Sequence, residues 1–477
     1  IHTHVTLEER YNSQGMLKSV GGNMAPLGVS YIASYLIQNG FSVKIIDTAV
    51  SGFDINAMAA QIASLQPKLI GISAITPSFH RAYKLAEAIK EAFPDILLVI
   101  GGHHATIARD SLLLDYPVFD LLVYGEGERT TLELMIEFRK YNYDARSFLE
   151  DSQRLSSIKG IVFRSSGRLK KTLPREPIAD LDSLPDPAWE ILDMHKYRPL
   201  PNSYLRRPVV NIITTRGCPF NCAFCSNNAV FGRNIRRLSP AKVICLFRHA
   251  QRLFGAKEVY FCDDAMTTDK KWVEELCNII IGEKIDMTWS CITRVDTVSA
   301  GLLKLMKNAG CWNIFYGLES ADQELLDNIN KGITLSQIKE AIRLTKEAGI
   351  EVRGSFMLAL PGETPELALK TIDFAIELEP AYAQFCITTP YPGTKLYDEA
   401  DKYGVLSKDF SQYSIWNPVF IPYGYKDRNE IVKMEKKAMR RFYLRPKYIL
   451  NRLLAIRSLE DIGRNLKGFQ MLLGFLR

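Results

Sequence analysis

Short apolar runs alternate with amphipathic stretches between Pro26 and about Tyr141. Helical patterns such as AMAAQIASL, YKLAEAIKEAF and TTLELMIEFRKY separate the apolar runs. Runs rich in Val, Ile and Leu are typical of buried parallel strands, so four strands are predicted: FSVKIIDT (41–48), KLIGISAI (68–75), ILLVIGG (96–102) and FDLLVYGEG (119–127). The alternation predicts a doubly wound, Rossmann-like α/β domain over residues 1–150, with its ligand beyond the carboxyl ends of the strands.

The alternation of strand and helix patterns is interrupted over residues 151–205, which are predicted to be a linker. SSIKGIVFRSSGRLKKT has the pattern of a hairpin, and REPIADLDSLPDPAWEIL is punctuated by Pro and Asp.

Alternation resumes over residues 206–415 with six strand patterns, and each of the first five is followed by a helical pattern. The strand patterns are VVNIITT, EVYFCDD, MTWSCIT, NIFYGLE, VRGSFMLAL and AQFCITTP. Six β/α units are too few for a closed eight-stranded barrel, so a partial (β/α)6 barrel is predicted, with its chemistry at the carboxyl ends of the strands.

Residues 416–477 are predicted to be a basic helical C-terminal domain. Residues 426–477 carry 14 Lys and Arg against five Asp and Glu, whereas the whole chain has a net charge of only +7. The cations alternate with Leu, Ile and Phe, which suits an anionic membrane surface or an acidic substrate. An apolar stripe that packs on the barrel, with its cations solvated, is the alternative.

The segment TTRGCPFNCAFCSNN follows the first barrel strand and has the spacing Cys218-x3-Cys222-x2-Cys225. Three thiolates on one loop can bind three irons of a 4Fe–4S cubane and leave the fourth iron open for a substrate atom. A structural zinc site needs a fourth ligand nearby, and the closest candidates, Cys245 and His249, lie one helix away. The other six cysteines interrupt apolar runs and are expected to be buried.

This loop, with Phe224 before the third cysteine, resembles the signature of the radical S-adenosylmethionine (SAM) superfamily. The resemblance implies a 4Fe–4S cluster that cleaves SAM to a 5′-deoxyadenosyl radical, supplied with electrons by a donor such as flavodoxin or ferredoxin. It also implies SAM contacts at the following residues: Phe224, Asp263, Asp264, Ser290, Arg294, Glu319 and Ser320. The resemblance also places Pro361-Gly362-Glu363 at the SAM site, and the alternative for this segment is a plain turn. The alternative for Asp263 and Asp264 is that they cap the next helix. Lys331 is expected to be a loop charge.

The first domain has no G-x-G-x-x-G or Walker A sequence. APLGVSYIASYL, GISAITPSF, GGHHAT and YGEGERT, in that order, resemble instead the cobalamin-binding domain of cobalamin-dependent radical SAM enzymes. The resemblance implies cobalamin contacts at the following residues: Thr76, Ser78, Gly101, Gly102, His103, Thr106, Gly125, Glu126 and Gly127. The D-x-H-x-x-G sequence is absent, so no such histidine is expected on cobalt. A Rossmann-like domain that only docks on the barrel, with a surface His103, is the alternative.

The resemblance implies a cobalamin-dependent radical SAM methyltransferase that acts on an unactivated carbon of a small or lipid-like molecule. The alternatives are a cyclase or oxidase similar to the anaerobic magnesium-protoporphyrin monomethyl ester cyclase and a non-catalytic cobalamin or iron–sulfur sensor. No apolar stretch is long enough to span a bilayer, and no secretion signal is evident. A cytoplasmic protein is expected, and peripheral membrane contact through the basic tail stays open. No nucleic-acid-binding fold is recognised.

Overall fold

A computed structural model describes residues 1–4, 20–52, 54–413 and 417–476. It contains a five-stranded sheet in the N-terminal half and a six-stranded parallel sheet in the C-terminal half, in agreement with the predicted fold class.

The first sheet has the order β1 (Leu69–Ser73), β2 (Leu97–Gly101), β3 (Leu121–Val123), β4 (Ile161–Ser165), β5 (Arg168–Lys171). The first three strands are parallel, and the last two form an antiparallel hairpin on β3. The hairpin expected in the linker is therefore present, but it belongs to the first sheet, which continues past residue 150. The helices of this half are α1 (Leu27–Gln38), α2 (Thr48–Ser51), α3 (Ile55–Leu65), α4 (Phe79–Ala92), α5 (His103–Ile107), α6 (Arg109–Asp115), α7 (Gly127–Arg139), α8 (Ala145–Glu150) and α9 (Ser152–Ser157).

The strand predicted over residues 41–48 is wrong in extent. Only Asp47 in this run makes a β-bridge, and its partner is His2. The His2 amide donates to the Ile46 carbonyl at 2.9 Å, and its carbonyl accepts from the Thr48 amide at 3.1 Å. Because residue 2 also bridges Ser73 of β1, it separates this run from the sheet to which the apolar pattern assigned it.

Residues 172–205 contain four short 3-10 helices joined by irregular backbone. Trp189 is fully buried, and together with Leu181 and Leu184 it joins the core cluster that contains the barrel. Tyr31 of α1 belongs to the same cluster. The segment between the two halves is thus packed against both.

The second sheet has the order β13-β12-β11-β10-β9-β6, and every pair is parallel. Its strands are β6 (Val209–Ile212), β9 (Glu258–Phe261), β10 (Thr288–Thr293), β11 (Cys311–Glu319), β12 (Glu351–Leu358) and β13 (Tyr382–Ile387). A small ribbon of β7 (Thr215–Arg216) and β8 (Arg236–Arg237) follows the first strand. The six predicted barrel strands are confirmed.

Helices surround the barrel, and side-chain caps mark where several of them begin. Ser239, Asp269, Ser299, Thr334 and Thr364 each accept a hydrogen bond from a backbone amide of the first turn. The helices are α10 (Asn227–Phe231), α11 (Pro240–Phe254), α12 (Lys270–Gly282), α13 (Ala300–Asn308), α14 (Gln323–Asn328), α15 (Leu335–Glu347) and α16 (Pro365–Leu378).

The C-terminal region covers the open edge of the barrel. It contains α17 (Lys395–Asp398), the antiparallel pair β14 (Gly404–Leu406) and β15 (Phe420–Pro422), and α18 (Arg428–Tyr443), α19 (Pro446–Leu454) and α20 (Leu459–Leu476). The Tyr443 hydroxyl donates to the Ala383 carbonyl at 2.7 Å and accepts from the Ala383 amide at 3.1 Å. One side chain of α18 therefore satisfies both backbone groups of an edge-strand residue, as exposed sheet edges require. Trp416, where the tail was predicted to begin, lies outside the described residues.

Candidate functional site

The three clustered cysteines lie on the loop that leads from β7 to α10. Gly217, which precedes the loop, has φ +96°, and a Cβ there would collide with the Asn234 carbonyl. The loop is anchored by hydrogen bonds from the Cys218 amide to the Gly232 carbonyl at 3.2 Å and from the Ala223 amide to the Ile329 carbonyl at 2.8 Å. A glycine is required at this entry because other residues would meet both backbone strain and a collision.

All three thiols are half-buried. Burial raises the pKa of Cys218 and raises that of Cys225 to about 11, so these two thiols are protonated at neutral pH when no metal is bound. Metal binding has to displace these protons. Within the described part of the chain, no three side chains of His, Cys, Asp or Glu are placed to bind a single metal ion together. A cubane does not need convergence, because each thiolate binds a different iron. The donor set therefore fits a 4Fe–4S cluster better than a single zinc ion.

Arg294 brings a cation to this loop from the end of β10. Its guanidinium lies 3.7 Å from the centre of the Phe220 ring, and Nη1 lies 3.7 Å from the Cys222 Sγ atom. Two bonds of 2.9 Å to Asp296 and one of 2.8 Å to the Lys331 carbonyl hold the group in place. A fixed cation beside a cluster thiolate suits an anionic ligand such as a carboxylate.

Glu319 and Lys331 form a buried ion pair beside Arg294. The Glu319 Oε1 atom lies 2.6 Å from Lys331 Nζ, and both side chains are less than 8% exposed. Glu319 has φ +60°, which is strained for a residue with a Cβ. Lys331 Nζ is 5.8 Å from the centre of the Phe224 ring. The expectation that Lys331 is a loop charge is wrong: it links Glu319, Arg294 and the cluster loop.

Asp263 and Asp264 follow β9 but face different surroundings. Asp263 is fully buried and accepts hydrogen bonds from the Thr214 amide and hydroxyl and from the Thr215 hydroxyl, at 2.6–3.0 Å. It therefore fixes the strand before the cluster loop, and its contact with SAM stays a prediction. Asp264 is exposed, and desolvation together with the charge of Asp263 raises its pKa to about 6. Neither caps the following helix, because Asp269 does so.

The two predicted serines also differ. Ser290 is buried on β10, and its hydroxyl has no hydrogen-bond partner among the described residues. Ser320 is buried beside Thr371, at 3.3 Å between the hydroxyl oxygens, and accepts from the Asp322 amide. Ser290 is thus free for a ligand, whereas Ser320 supports the fold. Glu363 likewise accepts from the Ala359 amide and the Tyr425 hydroxyl, both at 2.5 Å, and so closes a turn.

Most of the polar groups predicted to bind cobalamin are engaged within the N-terminal domain. The Thr76 hydroxyl lies 3.1 Å from His104 Nδ1, and the Ser78 hydroxyl lies 3.2 Å from the Thr3 hydroxyl. Thr106 donates to the Gly102 carbonyl and accepts from the Gly125 amide. These hydroxyls shape the edge of the sheet, and their direct contacts with cobalamin stay a prediction.

Two of the glycines at this edge are packed too closely for a residue with a side chain. Gly102 has φ +91°, and a Cβ there would lie 2.8 Å from the Ser73 hydroxyl. A Cβ on Gly127 would lie 2.7 Å from Ile32 of α1. Gly101 is half-buried at the end of β2, and Gly125 is exposed. Gly101 and Gly125 therefore remain accessible at the carboxyl edge.

His103 is exposed, and its ring lies 5.9 Å from that of Phe231, the last residue of α10. The carboxyl edge of the first sheet thus faces the helix that follows the cluster loop. His103, exposed Ile75 and Gly125 offer an accessible ledge there, as a large flat ligand between the two sheets would need.

Glu126 is engaged by arginines of the barrel, and its contact with cobalamin stays a prediction. Its oxygens lie 2.5 Å from Arg236 and 3.3 Å from Arg216, and it accepts from the Ile178 amide. Glu128 pairs with Arg216 at 2.5 Å. Neither arginine is predicted as a site residue from the sequence, although Arg216 stands directly before Gly217 in the cluster motif.

The inner face of the barrel, called the chamber below, is partly accessible. Half-exposed residues stand between buried neighbours on four of its strands. The inward residues are Ile292, Phe315, Ser355, Gln384 and Cys386. A chamber with apolar walls and a few polar groups suits a small molecule.

The other cysteines follow the expectation only in part. Cys277, Cys291 and Cys311 are buried, whereas Cys245 is exposed. Cys262 and Cys386 are half-exposed, which also differs from the expected burial.

Comparison with known proteins gives matches to both halves. The model of the radical SAM superfamily matches residues 212–375, and that of the B12 binding domain matches residues 13–135. An uncharacterised methyltransferase of Pyrococcus horikoshii is 34% identical over 432 residues, which cover 90% of each chain. The anaerobic magnesium-protoporphyrin IX monomethyl ester cyclase of Rubrivivax gelatinosus is 31% identical over 448 residues, which cover 93% of this chain and 78% of the cyclase.

Solved structures share the fold. The radical SAM methyltransferase TsrM of Kitasatospora setae, with cobalamin and a 4Fe–4S cluster bound, superposes with a TM-score of 0.68 at 15% identity and covers 94% of this chain and 96% of TsrM. The cobalamin-dependent enzyme OxsB gives a TM-score of 0.70 at 18% identity over 95% of this chain and 70% of OxsB. The two matched domains and the relatives that span nearly the whole chain place this protein in the family of cobalamin-dependent radical SAM enzymes.

Proposed function

We propose that the protein is a cobalamin-dependent radical SAM methyltransferase that acts on an unactivated carbon. The observation that carries the proposal is the position of the three-cysteine loop, which lies at the carboxyl end of the barrel and faces the carboxyl edge of the N-terminal sheet through Phe231 and His103. A cluster and a cobalamin can share one chamber only in such an arrangement. The relative from Pyrococcus horikoshii, a methyltransferase by name, supports it.

Residues of this chain would divide the binding of the cofactors. Cys218, Cys222 and Cys225 would hold the cluster, and Arg294 and Ser290 would meet the carboxylate and a polar group of SAM. His103 and the backbone at Gly101 and Gly125 would meet cobalamin. When bound, these groups supply one-electron cleavage of SAM and a transferable methyl group.

The other side chains of the protein would hold the cluster loop in place, cover the barrel and contact the substrate. Asp263 and the Glu319–Lys331 pair fix the strand and the loop that carry the cluster ligands. Helix α18 covers the open edge at β13, and its proposed role is to keep water from the chamber. Ile292 and Phe315 would contact the apolar part of the substrate, and Gln384 would orient a polar group.

A cyclase or oxidase is the second candidate, because the cyclase of Rubrivivax gelatinosus is almost as similar as the methyltransferase. It would use the same two cofactors without methyl transfer to the substrate. A non-catalytic sensor is not favoured, because all three cluster cysteines are retained on an accessible loop.

One experiment separates these candidates. The anaerobically reconstituted protein is given SAM with a trideuterated methyl group, cobalamin, a low-potential reductant such as reduced flavodoxin, and a small-molecule and lipid extract of a host that lacks the protein. A product that carries the labelled methyl group, formed with S-adenosylhomocysteine and 5′-deoxyadenosine, supports the methyltransferase. An unlabelled product of altered mass with 5′-deoxyadenosine selects the cyclase or oxidase. Absence of 5′-deoxyadenosine from protein with full cluster content contradicts both. The Cys222→Ala variant is the control for background chemistry.

We also propose that α19 and α20 contact an anionic membrane surface. Leu450, Leu453, Leu454, Leu466 and Phe469 are each more than half exposed on these consecutive helices. Exposed cations such as Arg440, Lys447 and Arg457 lie near them in the chain, and the segment 426–477 carries the excess of positive charge. Exposed apolar side chains with cations around them are typical of helices that lie in a bilayer interface. Within the described ranges, no helix has the length and hydropathy needed to cross a membrane.

Vesicle sedimentation tests this contact. Binding is expected to vesicles that contain phosphatidylglycerol and to be weak with phosphatidylcholine alone, and Leu453→Asp with Leu454→Asp should abolish it. Leu173→Asp, at an equally exposed leucine of the N-terminal half, is the matched control. Equal binding by the double variant and the control would contradict the proposal.

A further inference from the structure

Two arginines stand side by side at the base of the cluster loop. Arg216 of β7 and Arg236 of β8 are direct partners in the antiparallel ribbon. The ribbon encloses residues 217–235, and these include all three cluster cysteines. Any shift of the ribbon therefore moves the whole cluster loop.

Both arginines are held by carboxylates of the N-terminal domain. Arg216 lies 2.5 Å from Glu128 and 3.3 Å from Glu126, and Arg236 lies 2.5 Å from Glu126. All four side chains are at most 11% exposed. Glu126 immediately precedes α7, and Glu128 lies in its first turn. Two positive and two negative charges are thus buried at the boundary of the two domains.

Neighbouring contacts leave this network little freedom. The Ile178 amide donates to Glu126 at 2.9 Å, and Arg236 donates to the Ile178 carbonyl at 2.8 Å, so the segment between the domains is part of the network. The Arg216 guanidinium lies 5.6 Å from the centre of the Tyr31 ring. On the barrel side, Asp263 holds Thr214 and Thr215, the two residues before Arg216.

Stability alone is a weak reason to bury four charges. Well-packed apolar residues in place of a buried ion pair are often as stable or more stable, because desolvation offsets the attraction between the charges. In some proteins buried charges instead specify one geometry, because any other arrangement would leave a charge unpaired. A site with two cofactors needs this property, because a misplacement of about 1 Å can cost about 100-fold in rate.

We propose that Glu126, Glu128, Arg216 and Arg236 are positioning residues that fix the cluster loop relative to the cobalamin-binding domain, and so set the separation of the two cofactors. The inference rests on the proposed function, because it takes both cofactors to be bound. None of the four residues needs to touch a cofactor. Their effect reaches the cluster through Gly217 and Cys218, the two residues after Arg216.

Pulsed electron paramagnetic resonance tests the proposal without a substrate. The relaxation of protein-bound cob(II)alamin is measured with the cluster oxidised and with the cluster reduced, and the difference reports the distance between the two centres. The wild-type protein is expected to give one narrow distance. Glu126→Gln and Glu128→Gln, made singly and together, should give a broader or displaced distribution at unchanged cobalamin and iron content. Arg216→Lys, which keeps the charge but not the fork of donors, should show a smaller change.

The control is Glu176→Gln, which breaks the Lys159–Glu176 ion pair of 2.6 Å at the surface of the N-terminal half. It should leave the distance unchanged. The same narrow distance in both single glutamine variants, with both cofactors bound, would overturn the proposal. If the double variant fails to fold, the single variants and Arg216→Lys decide. Failure of the wild-type protein to bind cobalamin or to form a cluster would instead count against the proposed function.

Discussion

Replacing Glu319 by Gln removes one charge of the buried Glu319–Lys331 pair and changes little else. The side chain keeps its volume, and the strain of the left-handed backbone at φ +60° is the same for both residues. Both partners are nearly buried, so Lys331 would be left as an uncompensated charge away from water. Breaking a buried pair in this way typically costs about 3–5 kcal/mol. Because the Gln carbonyl can still accept from Lys331, we expect a loss of about 3 kcal/mol.

The free energy of unfolding is measured by denaturant titration, with the fluorescence of the barrel tryptophans Trp272, Trp289 and Trp312 as the signal. The matched control is Glu377→Gln, which breaks the Lys339–Glu377 pair of 2.7 Å, whose side chains are 53% and 59% exposed. Surface pairs contribute about 0–1 kcal/mol, so the control should change little. Adding Lys331→Met to Glu319→Gln should recover part of the loss, since no unpaired charge then remains. Equal losses in Glu319→Gln and Glu377→Gln would refute the reasoning.

Three further predictions follow from buried groups. Burial lowers the pKa of His104 to about 3, whereas the unfolded chain takes up this proton near pH 6.5, so stability should fall below pH 6.5 by up to about 1.4 kcal/mol per pH unit. His104→Gln should flatten the fall in denaturant titrations between pH 6.5 and pH 4.5, and an unchanged slope would contradict the assignment. Burial raises the pKa of Glu435 to about 8, so stability should fall as pH rises from about 4.3 to 8, where the folded protein retains a proton that the unfolded chain has released. Glu435→Gln should therefore be more stable than the wild type at pH 8 by more than about 1 kcal/mol, and a loss of stability there would be the opposite result. Tyr443→Phe leaves both backbone groups of Ala383 without this partner and should cost about 1–3 kcal/mol, with faster hydrogen exchange at Ala383 as the local signal. Unchanged exchange would show that the hydroxyl does not cover the edge.

The barrel could be predicted strand by strand because each β/α unit carries its own pattern. Apolar runs such as VVNIITT and VRGSFMLAL end in polar residues, and helix signals follow them. The strand predicted for FSVKIIDT is wrong because of a long-range contact, which the local pattern of apolar residues does not show. It is apolar like the others, but residue 2 lies between it and β1 in space. The hairpin β4–β5 was recognised, whereas its antiparallel pairing with β3 is a long-range choice that its own residues do not specify.

The three cysteines could be proposed as cluster ligands from their spacing, because one loop supplies all three. The other site residues come from different strands, so their partners could not be identified from the sequence. Asp263 and Glu126 have carboxylates, as a ligand-binding site would need. In the folded chain, however, Asp263 accepts a hydrogen bond from Thr214, and Glu126 pairs with Arg236. Lys331 follows α14 in a polar segment, and this position suggests a charge exposed to solvent. Its ion pair with Glu319 forms only in the folded chain. Pairs that meet across domains leave no local signal in one sequence.

The central claim is that Cys218, Cys222 and Cys225 hold a 4Fe–4S cluster whose open iron binds SAM. Electron–nuclear double resonance on the reduced, reconstituted protein, with SAM labelled by 15N at its amino group, tests it most directly. The account predicts a 15N coupling to the cluster in the wild-type protein. It also predicts loss of both the coupling and the normal iron and sulfide content in Cys222→Ala. A complete cluster that shows no coupling to SAM, or full iron and sulfide content in Cys222→Ala, would contradict the account.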